Sequence, residues 1–223
     1  MKRSGGKDPV PSVFRVGLTG GIATGKSQVA EVFQEEGALV LDADTLGHEL
    51  MDPGGPAFAA IRKSFGDEIL GADGRIDRRK LGGRVFKDQS ARREINAILH
   101  PLIMEVAEKR IMEFGRRFPG GIAVLQAALV AESGAAGRFH RIVMTDCDAE
   151  TQIFRLKERE GIPTEEALRR IRSQADPAER RKIAHLIIDT SGSVEETRAK
   201  AKQAFGRLRS DWEALQASEE KSE

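Results

Sequence analysis

Eight consecutive residues carry the clearest chemistry in the chain: Gly20-Gly21-Ile22-Ala23-Thr24-Gly25-Lys26-Ser27, a complete G-x-x-x-x-G-K-S. Glycines at these places allow a loop whose backbone N–H groups point inward. Together with the start of the helix that follows, they cradle a polyphosphate. Lys26 then offers a point charge to the β- and γ-phosphates of ATP, and the Ser27 hydroxyl a ligand for Mg²⁺. Gly21, Ile22, Ala23, Thr24, Gly25, Lys26, Ser27 and Gln28 are therefore expected to hold the nucleotide. The plainer alternative is a Gly-rich turn that caps a helix, which needs neither the lysine nor the hydroxyl. The guanine-selecting N-K-x-D pattern is missing, and the chain is too short for the sensor domain of a large ATP-driven machine. Small-molecule kinases are the class left.

A phosphoryl acceptor needs a group to take its proton, and the lost charge separation needs cations. Leu41-Asp42-Ala43-Asp44 ends an apolar run. The carboxyl ends of parallel strands line the ligand crevice, so both acids are expected at the phosphate edge. One acts on the acceptor hydroxyl or both cap the next helix; spacing alone leaves this open. Arginines occur downstream at Arg155, Arg159, Arg169, Arg170 and Arg172. Most are ordinary helix-surface charge. Arg155 and Arg159 are four apart, share a helix face, and are the expected phosphate-contacting pair.

These groups need a scaffold. Short Val/Ile/Leu-rich runs at 14–19, 38–41, 122–125, 141–145 and 185–188 read as buried strands. Helical spacing fills 26–36, 149–160, 164–173 and 193–215, and a long insert covers 56–118. Strand and helix alternate, which predicts a three-layer α/β fold: a parallel sheet flanked by helices, of the nucleoside-monophosphate-kinase type. The expected parts are a core of 13–50, 119–154 and 183–216, a helical acceptor-binding insertion at 51–118, and a lid at 155–182. Residues 1–12 and 217–223 read as flexible tails.

Charge is uneven. The whole chain of 223 residues carries +1, yet residues 75–93 hold eight Lys/Arg against Asp77 and Asp88, and 155–182 hold nine basic against six acidic. Two basic stretches in a balanced chain fit an anionic small molecule gripped from two sides better than bulk nucleic-acid binding. Arg78 is the expected acceptor contact in the first stretch. No apolar run is long enough to span a bilayer, and the N-terminus has no apolar segment behind its charges. The one cysteine, Cys147, excludes an internal disulfide and fits a reducing, cytoplasmic setting. Its neighbours Asp146 and Asp148 should raise its thiol pKa. His100-Pro101 reads as a helix boundary, because the residue before proline is biased away from the helical region.

With the phosphate loop, the Asp-Ala-Asp strand end and the basic lid in view, the sequence resembles the dephospho-coenzyme A kinase family over about residues 14–205. Leu18 to Ile22 with Gly25-Lys26-Ser27 is similar to that family's phosphate loop. Asp42-Ala43-Asp44 is similar to its acceptor motif, in which the second Asp corresponds to the general base. Pro53-Gly54, Phe65-Gly66, Asp73-Gly74, Asp77-Arg78, Val85-Phe86 and His100-Pro101 follow its CoA-binding insertion, and Gln152, Arg155, Arg159 and Gln174 its lid. The resemblance implies transfer of the ATP γ-phosphate to the ribose 3′-hydroxyl of dephospho-CoA. It assigns catalysis to Asp44, Lys26 and Arg155, nucleotide contact to Arg159, and acceptor contact to Asp44, Arg78 and His100. The chain departs from the pattern at Ala128 to Glu132, where a Pro is lost, and at His48, where an Arg is usual. It departs again at Ala184-His185 and at Thr190, where an Asn is usual. Another small-molecule kinase, such as a nucleoside monophosphate kinase, and a non-catalytic ATP-binding regulator are the competing readings.

Overall fold

The computed structural model describes residues 13–127, 135–174 and 176–220. The tail expected at 1–12 and the departure at Ala128 to Glu132 lie outside the described residues. The chain divides into two compact units: the residues up to Leu41 together with those from Ile111 on, and Asp42–Arg110.

The first unit is a five-stranded parallel sheet in the order β2-β3-β1-β4-β5. Its strands are β1 (Val13–Gly20), β2 (Leu39–Asp42), β3 (Gly121–Gln126), β4 (Arg141–Asp146) and β5 (Leu186–Asp189). Each falls within about two residues of its apolar run. Central β1 is buried along nearly its whole length, as expected for a strand covered on both faces. Register places Gly17 beside Leu125 on one side and Ile142 on the other.

Helix α1 (Lys26–Glu35) packs Val29, Val32 and Phe33 onto the sheet. The last helix, α9 (Val194–Glu220), adds Ala201, Phe205, Leu208 and Trp212 to the same core. Trp212 donates its indole N–H to the Gly120 carbonyl at 2.8 Å. Residues 217–220 thus continue α9, where the sequence predicted a tail. The inner face of this long helix is anchored several turns earlier, by Phe205, Leu208 and Trp212.

At the amino edge of the sheet, two histidines extend the strand pairing with side chains. His140 Nδ1 accepts the Arg15 N–H at 2.8 Å and His185 Nδ1 the Ile142 N–H at 3.0 Å. The departure at His185 therefore lies at the end of the sheet opposite the phosphate loop.

The basic segment after β4 folds as α6 (Ala149–Glu160), α7 (Thr164–Arg172) and α8 (Pro177–Ile183). Helix α8 was not anticipated, although Asp176-Pro177 is a standard opening: the Asp176 carboxylate accepts the Ala178 N–H at 2.8 Å and proline occupies the first turn.

The second unit comprises α2 (Ala43–Leu50), α3 (Phe58–Phe65), α4 (Arg78–Lys87) and most of α5 (Gln89–Arg117). Leu46, Leu50, Ile61, Phe65, Ile69, Leu81, Ile95 and Ile103 are buried. The unit therefore begins at Asp42 and ends at Arg110, against the expected 51–118. The expected boundary at His100-Pro101 is also corrected. Helix α5 runs through it with Pro101 inside; Pro101 is exposed, so its ring and the missing N–H are accommodated on the solvent side of a long helix.

Candidate active site

The phosphate loop joins β1 to α1. Gly20 has φ 155°, and a Cβ there would lie 2.2 Å from Thr145 Oγ1 and 2.7 Å from the Thr145 carbonyl. Strand β4 thus approaches too closely for any side chain at this position. The Thr145 and Thr24 hydroxyls meet at 2.8 Å, and Thr24 Oγ1 is also 2.9 Å from the Gly21 carbonyl. Both threonines are buried, so the loop is fixed from beneath by paired hydroxyls. Ala23 and Gly25 turn the chain with φ 58° and 76°; for alanine this left-handed conformation is strained.

Helix α1 has no side-chain cap at its start. Its first N–H groups, from Lys26, Ser27 and Gln28, precede the first helical bond, Val29 N–H to the Gly25 carbonyl at 3.3 Å. They stand at the start of the helix, where backbone donors and the helix dipole favour an anion. Lys26 Nζ lies over the loop, donating to the carbonyls of Gly20 at 3.0 Å and Gly21 at 2.8 Å. Ser27 is exposed at the mouth of the cradle.

The two expected lid arginines go different ways. Arg155, in mid α6, donates to the Ala23 carbonyl and Thr190 Oγ1 at 3.3 Å each and to the Thr190 carbonyl at 2.6 Å. Arg159 turns instead to Glu160, 2.5 Å away. The shared face predicted for the pair is not a shared target. Arg169 pairs with Glu166, and Arg170 bridges Glu160 and Glu166, tying α7 to α6; hydrogen bonds from Arg159 and Arg170 to Glu160, and from Arg170 and Arg169 to Glu166, hold both carboxyl pKa values down.

Thr190, one of the departures, is fully buried and its hydroxyl donates to the Thr24 carbonyl at 3.0 Å. It links β5 to both the loop and Arg155. Beside them opens a cleft of about 350 Å³ lined by Glu150, Thr151, Phe154, Arg155, Ser191 and Gly192. Phe154 is 63% exposed there. Below, Asp189 accepts from Lys200 Nζ at 2.7 Å and from the Ser191 N–H at 3.1 Å, and these bonds lower its pKa to about 2.

Cys147 lies 4.0 Å from Arg155 Nη1. Its thiol pKa is raised, first by burial, with Asp148 and Asp146 as smaller causes. The direction matches the sequence reading; the leading cause does not.

In the second unit, Asp42 and Asp44 separate in role. Asp42 ends β2 and caps α2, accepting the Thr45 N–H at 2.9 Å. Asp44 sits in the first turn of α2, exposed. Of the two alternatives, the cap is made by Asp42. A cavity of about 500 Å³ is lined by His48, Met51, Asp52, Gly71, Asp73, Arg75, Ile76, Asp77, Arg78 and Arg79. Its acids have duties of their own: Asp52 stands 3.8 Å from Arg75, and Asp77 caps α4 through the N–H groups of Arg79 and Lys80, which lowers its pKa. Arg78 lines this cavity as expected. His48, Arg75 and Arg79 were not singled out as contacts; the basic run 75–93 was the signal for the two arginines, and the departure from Arg at position 48 that for His48. His100 is not among the lining residues.

A phosphate cradle between β1 and α1 of a parallel sheet in this strand order defines a P-loop kinase fold. A dephospho-CoA kinase from Campylobacter jejuni shares that fold, with a TM-score of 0.58 at 21% identity over 88% of this chain and 98% of that one. Residues 14–196 match the family model for dephospho-CoA kinase. A dephospho-CoA kinase of Thermobifida fusca is 38% identical over 196 residues, 88% of this chain and 96% of the relative. One of Leifsonia xyli subsp. xyli is 41% identical over 194 residues, 87% and 98%. The chain belongs to the dephospho-CoA kinase family, the kinases of the final step of coenzyme A biosynthesis, with ATP as phosphoryl donor.

Proposed function

We propose that this chain divides its family's reaction between its two units, ATP held by the first and the acceptor by the second. The observation that carries this reading is the phosphate cradle: uncapped α1, Lys26 poised over the loop, and Arg155 bound to the loop's own backbone. Backbone N–H groups of Gly25 to Gln28 receive the phosphates, and Lys26 moves from the Gly20 and Gly21 carbonyls to the β- and γ-oxygens. The cleft beside Arg155 seats the base, with the Phe154 ring and the guanidinium offering flat faces to stack on.

Mg²⁺ fits this site as a nucleotide-borne ion. Among the described residues no group of three or more His, Cys, Asp or Glu side chains could hold a metal alone, while exposed Ser27 offers one hydroxyl, the usual complement to phosphate oxygens and water. Its charge would offset that of the phosphates.

On the acceptor side, Asp44 takes the proton of the 3′-hydroxyl, because Asp42 is committed to the cap. Arg78, with Arg75 and Arg79, binds the acceptor's phosphates in the 500 Å³ cavity. Arg159 and His100 have no place in this scheme. The chemistry and the single cysteine suit a cytoplasmic enzyme, and no helix among the described residues is long and apolar enough to cross a membrane. The test is a steady-state assay of purified protein with Mg-ATP and a panel of acceptors. Turnover with dephospho-CoA far above that with nucleoside monophosphates is expected. Preference for a nucleotide, or ATP binding without turnover, would reject this reading.

A further inference from the structure

Both backbone groups of one phosphate-loop residue, Ile22, are engaged by amide side chains from elsewhere in the chain. Gln152, on α6, donates its Nε2–H to the Ile22 carbonyl at 2.7 Å. Gln174, between α7 and α8, accepts the Ile22 N–H on Oε1 at 2.8 Å. The two are 130 and 152 residues from Ile22 in sequence.

An independent feature points to the same contact. Gly21 does not have the positive φ that would by itself call for glycine, yet a Cβ there would lie 3.0 Å from Gln152 Nε2 and 3.4 Å from Gln174 Oε1. The second glycine of the loop is thus a floor on which the two amides rest. Gln152 is 9% exposed, which sharpens the requirement that its amide be paired.

We propose that Gln152 and Gln174 are positioning residues that clamp the Ile22 peptide, and that Gln174 makes the seating of the α7–α8 segment and the shape of the phosphate cradle a single state. Primary amides suit this task because each both donates and accepts. Gln174 moves with the junction of α7 and α8, so displacing those helices withdraws the acceptor from the loop. The loop, in turn, then lacks one of the two bonds that hold its third residue. Gln174 touches no reacting atom in this scheme; it acts through the loop. The inference rests on the reading that this loop receives the phosphates of ATP.

The deciding variant is Gln174→Met, which keeps length and loses the acceptor, compared with Gln174→Glu, which keeps an acceptor oxygen. Amide hydrogen exchange at Ile22 and steady-state kinetics are measured on the full chain. The Ile22 amide should be protected in the unaltered protein and in Gln174→Glu, and lose that protection in Gln174→Met. Gln174→Met should lower kcat/KM for ATP by about three- to tenfold, the worth of one neutral hydrogen bond, with the acceptor KM unchanged. A freely exchanging Ile22 amide in the unaltered protein overturns the clamp even if the methionine variant fails to fold. Unchanged ATP kinetics in a folded Gln174→Met, with Lys26→Ala inactive, also overturns it while leaving the phosphate assignment standing. If Lys26→Ala kept its turnover, the assignment beneath the clamp would be the one to fall.

Discussion

The two units handle charge in opposite ways. In the first, the cationic groups at the phosphate loop are parked on backbone carbonyls beside it: Lys26 on Gly20 and Gly21, Arg155 on Ala23 and Thr190. Buried Thr24, Thr145 and Thr190 brace the loop beneath them. In the second, Arg78 and Arg79 stand exposed on the first turn of α4 around an open cavity. Transfer of a phosphoryl group demands preorganised donors, since reorganisation during the reaction costs rate. Holding a flexible acceptor needs only charge of the right sign within reach. The difference teaches that bracing here is concentrated at the loop to which the proposed reaction assigns the phosphates.

The contrast is most exposed to failure at Lys26. Lys26→Ala should reduce kcat by about a thousandfold with little change in melting temperature, since the carbonyls its Nζ reaches, those of Gly20 and Gly21, belong to the loop. Gly20→Ala should do the reverse and attack the scaffold. The added methyl collides with β4, so a loss of about 3 kcal/mol in denaturant unfolding is expected. Near-normal stability in that variant would mean the loop is softer than its contacts imply.

The acids at the start of the second unit give the next test. Asp44→Asn should lower single-turnover rates by about a hundredfold with ATP affinity retained. Asp42→Ala should mainly cost the α2 cap, about 1 kcal/mol of stability. A severe rate loss at Asp42 with a mild one at Asp44 would reverse their roles. Arg78→Ala should raise the acceptor KM by about tenfold and leave that for ATP alone. The opposite result would exchange the two units' tasks.

The smallest effect is at Asp189. Its pKa of about 2 lies below the ordinary carboxylate value, so its contribution to stability is present above about pH 4 and is lost as pH falls through about 2. Lys200 is the first cause of that depression. Lys200→Met should let the Asp189 carboxyl titrate closer to its ordinary range in an NMR titration, with little change in stability, because the pair is largely solvent-exposed.

These contrasts also explain what could be read from the chain alone. The five strands were legible because buried parallel strands leave dense Val/Ile/Leu runs, and the phosphate loop because its chemistry restricts residue types one by one. Helix α2 was obscured by Asp42-Ala43-Asp44, whose first acid ends a strand and opens a helix at once. Pro101 misled because a local bias against helix yields to a helix of 29 residues. Arg155 and Arg159 share a periodic relationship, yet Glu160 captures one and Thr190 the other. Spacing specifies a face, not the partner waiting there. The hold of Gln152 and Gln174 on Ile22 joins distant segments, and no local pattern encodes it.

Parallel sheets that do not close must end somewhere, and among the described residues both ends are four-residue strands, β2 and β5. Each terminates in an aspartate, Asp42 or Asp189. An unpaired strand edge is a template on which another polypeptide can add by backbone pairing, and short length with terminal charge is how natural sheets deny that template. Strands this short that end on a charge offer such addition little length to pair with, and on β5 the same acid steadies the turn into α9 through the Ser191 N–H and Lys200.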